Sequence, residues 1–82
     1  MKKRTIAIVA GGDSSELVVS LRSAQGVYSF IDKERYNLYI VEMEGKRWEV
    51  VLPDGNKTPI DRNDFSFVEN GEKKNFDFAY IT

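Results

Sequence analysis

The sequence predicts an α/β fold built on a mostly parallel sheet with β-hairpin insertions. Three features predict it: a continuously apolar run at 5–10, a helix-periodic segment after it, and a run rich in β-forming residues at 36–43. An unbroken apolar run of this kind is typical of a strand covered on both faces. Strand, helix and strand in this order form a βαβ unit, so we expect parallel strands and a right-handed crossover.

Composition limits the classes of function. With 82 residues the chain forms one domain, and a chain of that size buries only about 60% of its unfolded surface. Its formal net charge of −1 gives no field that would attract nucleic acid or an anionic membrane. The sequence has no cysteine and no histidine, which excludes disulfides, Cys/His metal sites and imidazole catalysis within these residues. This composition suits a cytoplasmic protein.

The first strand has one alternative, a signal peptide, because Lys2, Lys3 and Arg4 precede the apolar run. That run is about six residues long, shorter than the roughly 7–15 residues of a signal core. It leads into Gly-Gly-Asp-Ser-Ser-Glu rather than a small-residue cleavage site. No stretch reaches the roughly 18–20 apolar residues of a membrane span. We therefore predict a buried strand and no membrane insertion.

The helix is expected to begin where the glycines end. Asp13 or Ser14 can cap it, and Glu16 stands three residues after Asp13, close to the spacing of a capping box. Apolar residues then recur at three- and four-residue steps along one face: Leu17, Leu21, Ala24, Tyr28 and Ile31. Gly26 interrupts the helix at a cost of about 1 kcal/mol relative to alanine unless close packing requires it. The helix should end near 32–33.

A hairpin is predicted after the second strand. Residues 44–46 form a turn, and the apolar positions 48, 50 and 52 alternate with Arg47, Glu49 and Val51, which indicates a hairpin partner with one wetter face. Residues 53–55, Pro-Asp-Gly, form another turn. The segment 57–64 is predicted to be irregular, because Pro59 excludes a central strand.

A second short hairpin and a last strand are predicted near the end of the chain. Residues 65–68 lead into a turn at 69–72, and 76–82 (Phe-Asp-Phe-Ala-Tyr-Ile-Thr) gives a strong strand signal. Ligands of open α/β sheets bind just beyond the carboxyl ends of strands. Because the chain stops at such a point, we expect it to be part of a longer protein that carries the rest of the active site.

The candidate site is the stretch between the first strand and the helix. Gly11 and Gly12 allow a tight turn and close approach of a ligand, and the helix N-terminus would favour an anion. However, the stretch lacks both Gly-x-Gly-x-x-Gly and Gly-Lys-Ser/Thr, and the carboxylates of Asp13 and Glu16 would repel a phosphate. A carboxylate stabilised by the helix dipole suits an ammonium group instead. The pattern indicates an amine, an amino acid or an arginine as the partner.

Two serines extend this cluster. On a helix, Glu16, Ser20 and Ser23 fall on neighbouring positions beside the apolar face. The alternative is that Glu16 is only a capping-box residue and the serines are surface hydroxyls. Val19 and Phe30 lie off the main apolar face, where they form either a contact with another domain or subunit or singly exposed side chains.

The segment 9–24, Val-Ala-Gly-Gly-Asp-Ser-Ser-Glu-Leu-Val-Val-Ser-Leu-Arg-Ser-Ala, resembles the opening of D-alanine–D-alanine ligases. That family begins with a strand, then Gly-Gly-x-Ser-x-Glu, then Val-Ser-x-x-Ser on the first helix. The resemblance extends through all 82 residues, and the two hairpin-like insertions and the ending at 76–82 are similar to the Bacteroidetes-type branch. Val18 departs from the family pattern, in which many members carry a charged residue.

The resemblance implies a Rossmann-like domain, residues 1–82, that precedes an ATP-grasp module. It implies ATP-dependent joining of two D-alanines for peptidoglycan, with ATP and Mg²⁺ (or Mn²⁺) acting in the full-length enzyme and none bound by these residues. In the family pattern Glu16 matches the residue that binds the ammonium of the first D-alanine, Ser20 supports that site through hydrogen bonds, and Gly11 and Gly12 let the substrate approach. Glu16 and Ser20 are thus the catalytic candidates. Family members are commonly homodimers through this domain, so a homodimer is expected, with no nucleic-acid partner.

Two hypotheses of different classes follow. In the first, the chain is the substrate-side domain of an ATP-grasp ligase and is inactive alone. In the second, it is a free-standing Rossmann-like module that binds an amine-bearing ligand or a partner chain.

Overall fold

The computed structural model describes residues 3–12 and 14–82, with the side chains of Ser14 and Ser15 left out. Within these residues the chain forms one helix and seven strands. Their bounds are β1 Arg4–Gly11, α1 Ser14–Phe30, β2 Tyr36–Glu44, β3 Arg47–Val51, β4 Lys57–Pro59, β5 Ser66–Glu69, β6 Glu72–Asn75 and β7 Phe78–Ile81.

The main sheet has the predicted α/β arrangement. Its strand order, among the described residues, is β4-β3-β2-β1-β7. Strand β1 lies between β2 and β7 and is parallel to both, with Arg4 opposite Tyr36 and Ile6 opposite Phe78. Strands β3 and β4 continue the sheet beyond β2 as antiparallel additions. The prediction of parallel strands with hairpin insertions is therefore confirmed.

Helix α1 covers one face of this sheet, as the periodicity predicts. Ile8 and Ala10 of β1 pack with Leu17 and Ala24 of the helix in one buried cluster, and all four are at most 7% exposed. The helix ends at Phe30, two residues before the predicted end. It ends there because Asp32 organises a turn: its carboxylate accepts a hydrogen bond from the Glu34 N–H, and its carbonyl accepts from the N–H groups of residues 35 and 36. A Cβ added at Gly26 would meet no atom within 4 Å, so close packing does not require that glycine.

The other face is covered by the hairpin β5–β6 rather than by a helix. Phe67 of β5, 2% exposed, packs with Ala7, Val9, Tyr39 and Val41 of the sheet. The loop of this hairpin is Asn70-Gly71, and both residues have positive φ, 54° and 78°, as a type I′ turn requires. The predicted turn at 69–72 is thus confirmed.

Aromatic rings fill the space between the hairpin and the sheet. Phe67 lies 4.9 Å from Tyr39 and 5.1 Å from Phe76, measured between ring centroids. Phe65 joins them at 5.3 Å from Phe76. We call the hairpin β5–β6 together with Phe65 and Phe76 the hairpin layer, which packs on Tyr39 of β2. This layer is the second hydrophobic cover of the sheet.

The prediction of irregular structure at 57–64 is wrong in part. Residues 57–59 form β4, which pairs with β3 so that Thr58 lies opposite Val50 and Pro59 opposite Glu49. Proline is tolerated because β4 is an edge strand, where a missing backbone N–H breaks no ladder on the outer side. The last strand also begins later than predicted, at Phe78, although Asp77 already exchanges hydrogen bonds with Thr5 of β1.

Candidate functional site at the carboxyl edge of the sheet

A depression of about 480 Å³ opens at the carboxyl ends of β1 and β7, beside the first turns of α1. Its lining consists of Gly11, Glu16, Val19, Ser20, Ser23 and Thr82. Since β2 and β7 lie on opposite sides of β1, the chain changes direction across the sheet at this point. Open α/β sheets bind ligands at such switch points. The structure therefore brings the predicted residues Gly11, Glu16, Ser20 and Ser23 to the expected edge.

Gly12 shapes the turn that connects β1 to α1. Its φ is 126°, a conformation that favours glycine, and its N–H donates to the Met43 carbonyl of β2 at 3.2 Å. A Cβ added here would lie 2.7 Å from the Glu16 Cβ and 3.0 Å from Glu16 Oε2. The Glu16 side chain therefore lies directly over the glycine turn, and only the missing side chain of Gly12 leaves it room.

Gly11 is a glycine for a weaker reason. A Cβ at this position would lie 3.4 Å from the Met43 carbonyl oxygen and 3.8 Å from the Met43 Cβ, which are ordinary contacts. Its backbone N–H donates a hydrogen bond to Ser20 Oγ at 3.1 Å. The two glycines predicted together thus differ: Gly12 makes space for Glu16, and Gly11 anchors Ser20.

Ser20 is tied to both neighbouring elements by a chain of hydrogen bonds. Its Oγ lies 2.9 Å from Thr82 Oγ1, and Thr82 Oγ1 donates to the Val9 carbonyl at 2.7 Å. The Thr82 N–H also donates to that carbonyl, at 3.1 Å. The chain links β1, α1 and the residue after β7, and it fixes Ser20 at the wall of the depression.

The polar side chains of this wall are one carboxylate and the hydroxyls of Ser20, Ser23 and Thr82, which can donate or accept. Glu16 contributes a carboxylate, which has no proton to donate in its ionised form, and Ser20 and Thr82 contribute hydroxyl oxygens. An ammonium group supplies three N–H donors, so such a wall suits it, whereas a phosphate or carboxylate would meet the Glu16 charge. The amine partner expected from the sequence stays a prediction, and this lining is compatible with it.

Thr82 is the residue of this wall that the sequence analysis missed. No local sequence signal points to it, because only the register of β7, with Val9 opposite Ile81, places Thr82 beside Ala10 on the helix-covered face. Val19, predicted to lie off the apolar face, is 66% exposed and lines the same depression. Asp13, the predicted cap, lies outside the described residues, and so does the Ser14 side chain.

A second depression, of about 490 Å³, lies at the opposite, amino-terminal edge of the sheet. Two of its lysines form ion pairs within the fold, Lys73 with Asp64 and Lys74 with Glu69. None of the predicted site residues lines it. The two depressions have nearly the same volume, so volume does not identify the candidate site. The predicted site residues line only the depression at the carboxyl edge, which is therefore the candidate.

The residues of the candidate site do not fit ATP or a divalent metal. One carboxylate and a few hydroxyls supply no cation for a polyphosphate, and no group of three or more His, Cys, Asp and Glu within the described part of the chain could hold a metal ion. The described part of the chain also has no helix long and apolar enough to cross a bilayer.

The sequence is similar to several D-alanine–D-alanine ligases. A D-alanine–D-alanine ligase of Phocaeicola vulgatus is 94% identical over 80 residues, which are 98% of this chain and 25% of that protein. The ligase of Bacteroides thetaiotaomicron is 78% identical over the same shares, and that of Porphyromonas gingivalis is 45% identical over the whole chain and 25% of its own length.

A solved structure extends the similarity to the fold. The crystal structure of D-alanyl-alanine synthetase A from Vibrio cholerae matches with a TM-score of 0.70 at 28% identity, over 96% of this chain and 23% of that one. The chain thus spans about a quarter of the length of these relatives. A family model described as D-ala D-ala ligase N-terminus matches residues 5–79. The chain belongs to the family of D-alanine–D-alanine ligase N-terminal domains.

Proposed function

We propose that residues 1–82 form the N-terminal substrate-side domain of an ATP-dependent D-alanine–D-alanine ligase, a carbon–nitrogen ligase that makes D-alanyl-D-alanine for peptidoglycan. Family membership supports this over a free-standing amine-binding or interaction module. The single structural observation that supports it is the depression at the carboxyl edge of the sheet, with the Glu16 carboxylate over the Gly12 turn and hydroxyls beside it. The domain alone would have no ligase activity.

In this proposal Glu16 binds the ammonium of the first D-alanine. Its carboxylate neutralises the substrate charge, and charge-assisted hydrogen bonds of this kind are about twice as strong as neutral ones. Ser20, held by Gly11 and Thr82, supplies a further oxygen at the same wall. Gly12 lets Glu16 take its position, and Gly11 lets the backbone approach the substrate closely.

The nucleotide and its metal belong to other parts of the full-length enzyme. ATP and Mg²⁺ (or Mn²⁺) supply the activation of a carboxylate by phosphorylation, and the described residues offer them no ligand set. This domain contributes the orientation of one substrate amine. A cytoplasmic location follows from the use of ATP, and no nucleic-acid partner is expected for a chain of net charge −1.

We also propose that full-length copies pair through the surface of this domain. Val19 and Phe30, the two residues expected in such a contact, are 66% and 92% exposed on α1, which leaves apolar area outside the sheet contact. Analytical ultracentrifugation of the full-length protein tests it, and a monomer at micromolar concentration contradicts it.

The experiment that tests the function uses a chimera in which these residues replace the matching quarter of the Phocaeicola vulgatus ligase. In the chimera, Glu16→Gln should raise KM for the first D-alanine roughly 10- to 100-fold, since a hydrogen bond to a charged group contributes about 1.5–3 kcal/mol. The KM for ATP should change little. Steady-state kinetics with varied D-alanine, analysed for two D-alanine sites, measure the first KM, and kinetics with varied ATP measure the KM for ATP.

The matched control is Glu34→Gln, which removes an exposed carboxylate beyond the far end of α1. It should leave both D-alanine KM values unchanged. If Glu16→Gln also leaves them unchanged in a folded chimera, Glu16 does not bind the substrate and the proposal fails.

A further inference from the structure

We propose that Thr82 is a positioning residue that makes the Ser20 hydroxyl an acceptor toward the bound ammonium. This inference rests on the proposed function and deepens it, because it assigns a role to a residue outside the glycine–glutamate motif. The observation that carries it is the hydrogen-bond chain from Gly11 through Ser20 and Thr82 to Val9.

The direction of that chain follows from counting protons. The Gly11 N–H can only donate, so Ser20 Oγ accepts at that end. The Thr82 hydroxyl has two carbonyl acceptors, Val9 at 2.7 Å and Ser20 at 3.4 Å, so we assign its single proton to the shorter contact, with Val9. With the Thr82 proton assigned to Val9, the proton between the two hydroxyls, 2.9 Å apart, comes from Ser20. Thr82 Oγ1 therefore accepts a hydrogen bond from the Ser20 hydroxyl.

The consequence concerns the face that Ser20 turns to a ligand. A hydroxyl has one proton and two lone pairs, and Ser20 uses its proton on Thr82 and one lone pair on Gly11. What remains is one lone pair, which accepts from an N–H. Without the Thr82 hydroxyl, the Ser20 O–H loses its acceptor and can rotate so that its proton points into the depression. There it would face the N–H groups of an ammonium, which it cannot bind. Thr82 thus acts on the substrate through Ser20.

Thr82 is well placed for this role because its backbone is held independently of its side chain. Its N–H donates to the Val9 carbonyl at 3.1 Å, and Val9 lies opposite Ile81 in the sheet. A substitution that removes only the hydroxyl leaves this backbone bond in place. Thr82→Val has nearly the same shape and lacks the hydroxyl, and Thr82→Ser keeps the hydroxyl, so the two variants separate chemistry from packing.

The test uses the full-length chimera described above. Thr82→Val should raise KM for the first D-alanine roughly three- to tenfold, the range of one neutral hydrogen bond, with kcat and the KM for ATP little changed. Thr82→Ser should restore the original KM. In a Ser20→Ala background, Thr82→Val should have no further effect on this KM, because the hydroxyl it orients is gone.

The outcomes separate this inference from the proposed function. If Glu16→Gln raises the first KM but Thr82→Val does not, only the role of Thr82 is wrong. If Thr82→Val acts equally in the Ser20→Ala background, or lowers the thermal midpoint and kcat together, Thr82 has a packing role and the inference is overturned. If Glu16→Gln has no effect, the proposed function itself fails.

Discussion

Two regions of the molecule contain a carboxylate with hydroxyl neighbours: the depression at the carboxyl edge and the hairpin layer. The surroundings of the two carboxylates differ. Glu69 of the hairpin layer accepts a hydrogen bond from the Tyr39 hydroxyl at 2.8 Å and pairs with Lys74 at 2.7 Å. Its side chain is 13% exposed. Glu16 instead lies at a wall of about 480 Å³ of open space, among glycine backbone and hydroxyl oxygens. The first carboxylate closes a network within the fold, and the second borders a volume that a ligand can enter.

The contacts among Glu69, Lys74 and Tyr39 shift the pKa values of all three groups. Hydrogen bonds from Lys74 and then Tyr39 lower the pKa of Glu69 below its ordinary value of 4.5. The same contact raises the pKa of Lys74, and burial, followed by the Glu69 contact, raises the pKa of Tyr39. Each shift favours the protonation state present at neutral pH. These groups stabilise the fold, and substitutions among them should change unfolding rather than substrate use.

The largest effect is expected in the core of the hairpin layer. Phe67→Ala removes a ring that is 2% exposed and contacts Tyr39 and Phe76, so it should cost about 3–5 kcal/mol of unfolding free energy. In a chain this small, that loss should unfold most molecules. Urea unfolding followed by far-ultraviolet circular dichroism measures it. Val68→Ala, next along β5 and 53% exposed, is the control and should change stability by no more than about 0.5 kcal/mol.

A smaller effect is expected at the depression, where substitution of Gly12 should cost more stability than substitution of Gly11. Gly12→Ala places a Cβ 2.7 Å from the Glu16 Cβ at a φ of 126°, which should cost about 1–3 kcal/mol and displace Glu16. Gly11→Ala introduces only ordinary contacts within the fold and is the matched control for stability, although it too narrows the approach of the substrate. In the full-length chimera, Gly12→Ala should therefore raise KM for the first D-alanine at least as much as Glu16→Gln. Equal losses of unfolding free energy in the two alanine variants would contradict the close approach of Glu16 to Gly12.

The comparison also shows what the sequence can and cannot predict. The carboxyl edge was predictable because its determinants are local: an apolar run, a glycine pair, and side chains four residues apart on one helix. Thr82 was missed because its contact with Ser20 spans 62 positions and depends on the parallel register of β7. The predicted roles of Gly11, Gly12, Glu16 and Ser20 in binding remain predictions.

The hairpin layer was predicted as elements but not as a cover of the sheet. Its turn at Asn70-Gly71 has a clear local signal, whereas Phe65 adopts a φ of 54° that no local rule anticipates for a bulky residue. Its ring packs 5.3 Å from Phe76, so tertiary packing offsets the local cost. Strand β4 was missed for a similar reason. Its Lys57 pairs at 2.9 Å with Glu42, a carboxylate 7% exposed, and nothing near Pro59 in sequence reveals that partner.

The smallest effect is a dependence of stability on pH that belongs to the hairpin layer. Because the folded pKa of Glu69 lies below 4.5, its contribution is fully present above that value and is lost as the pH falls through the folded pKa. Glu69→Gln should thus cost about 1 kcal/mol at pH 7, and its difference from the original chain should shrink as the medium is acidified below pH 4.5. Urea midpoints at a series of pH values measure this difference.

Two features make this pH experiment specific to Glu69. The pKa of Asp64 is also lowered, chiefly by its hydrogen bond with Lys73, but Asp64 is present in both proteins, so its contribution cancels in the difference. Trp48 is the chain's one tryptophan, and its ring lies 6.2 Å from Phe65 in the hairpin layer, so its fluorescence reports whether this layer separates from the sheet. A difference between the two proteins that stays constant across the acid range would mean that the Glu69 charge does not hold the layer. The contrast with Glu16 would then rest on geometry alone.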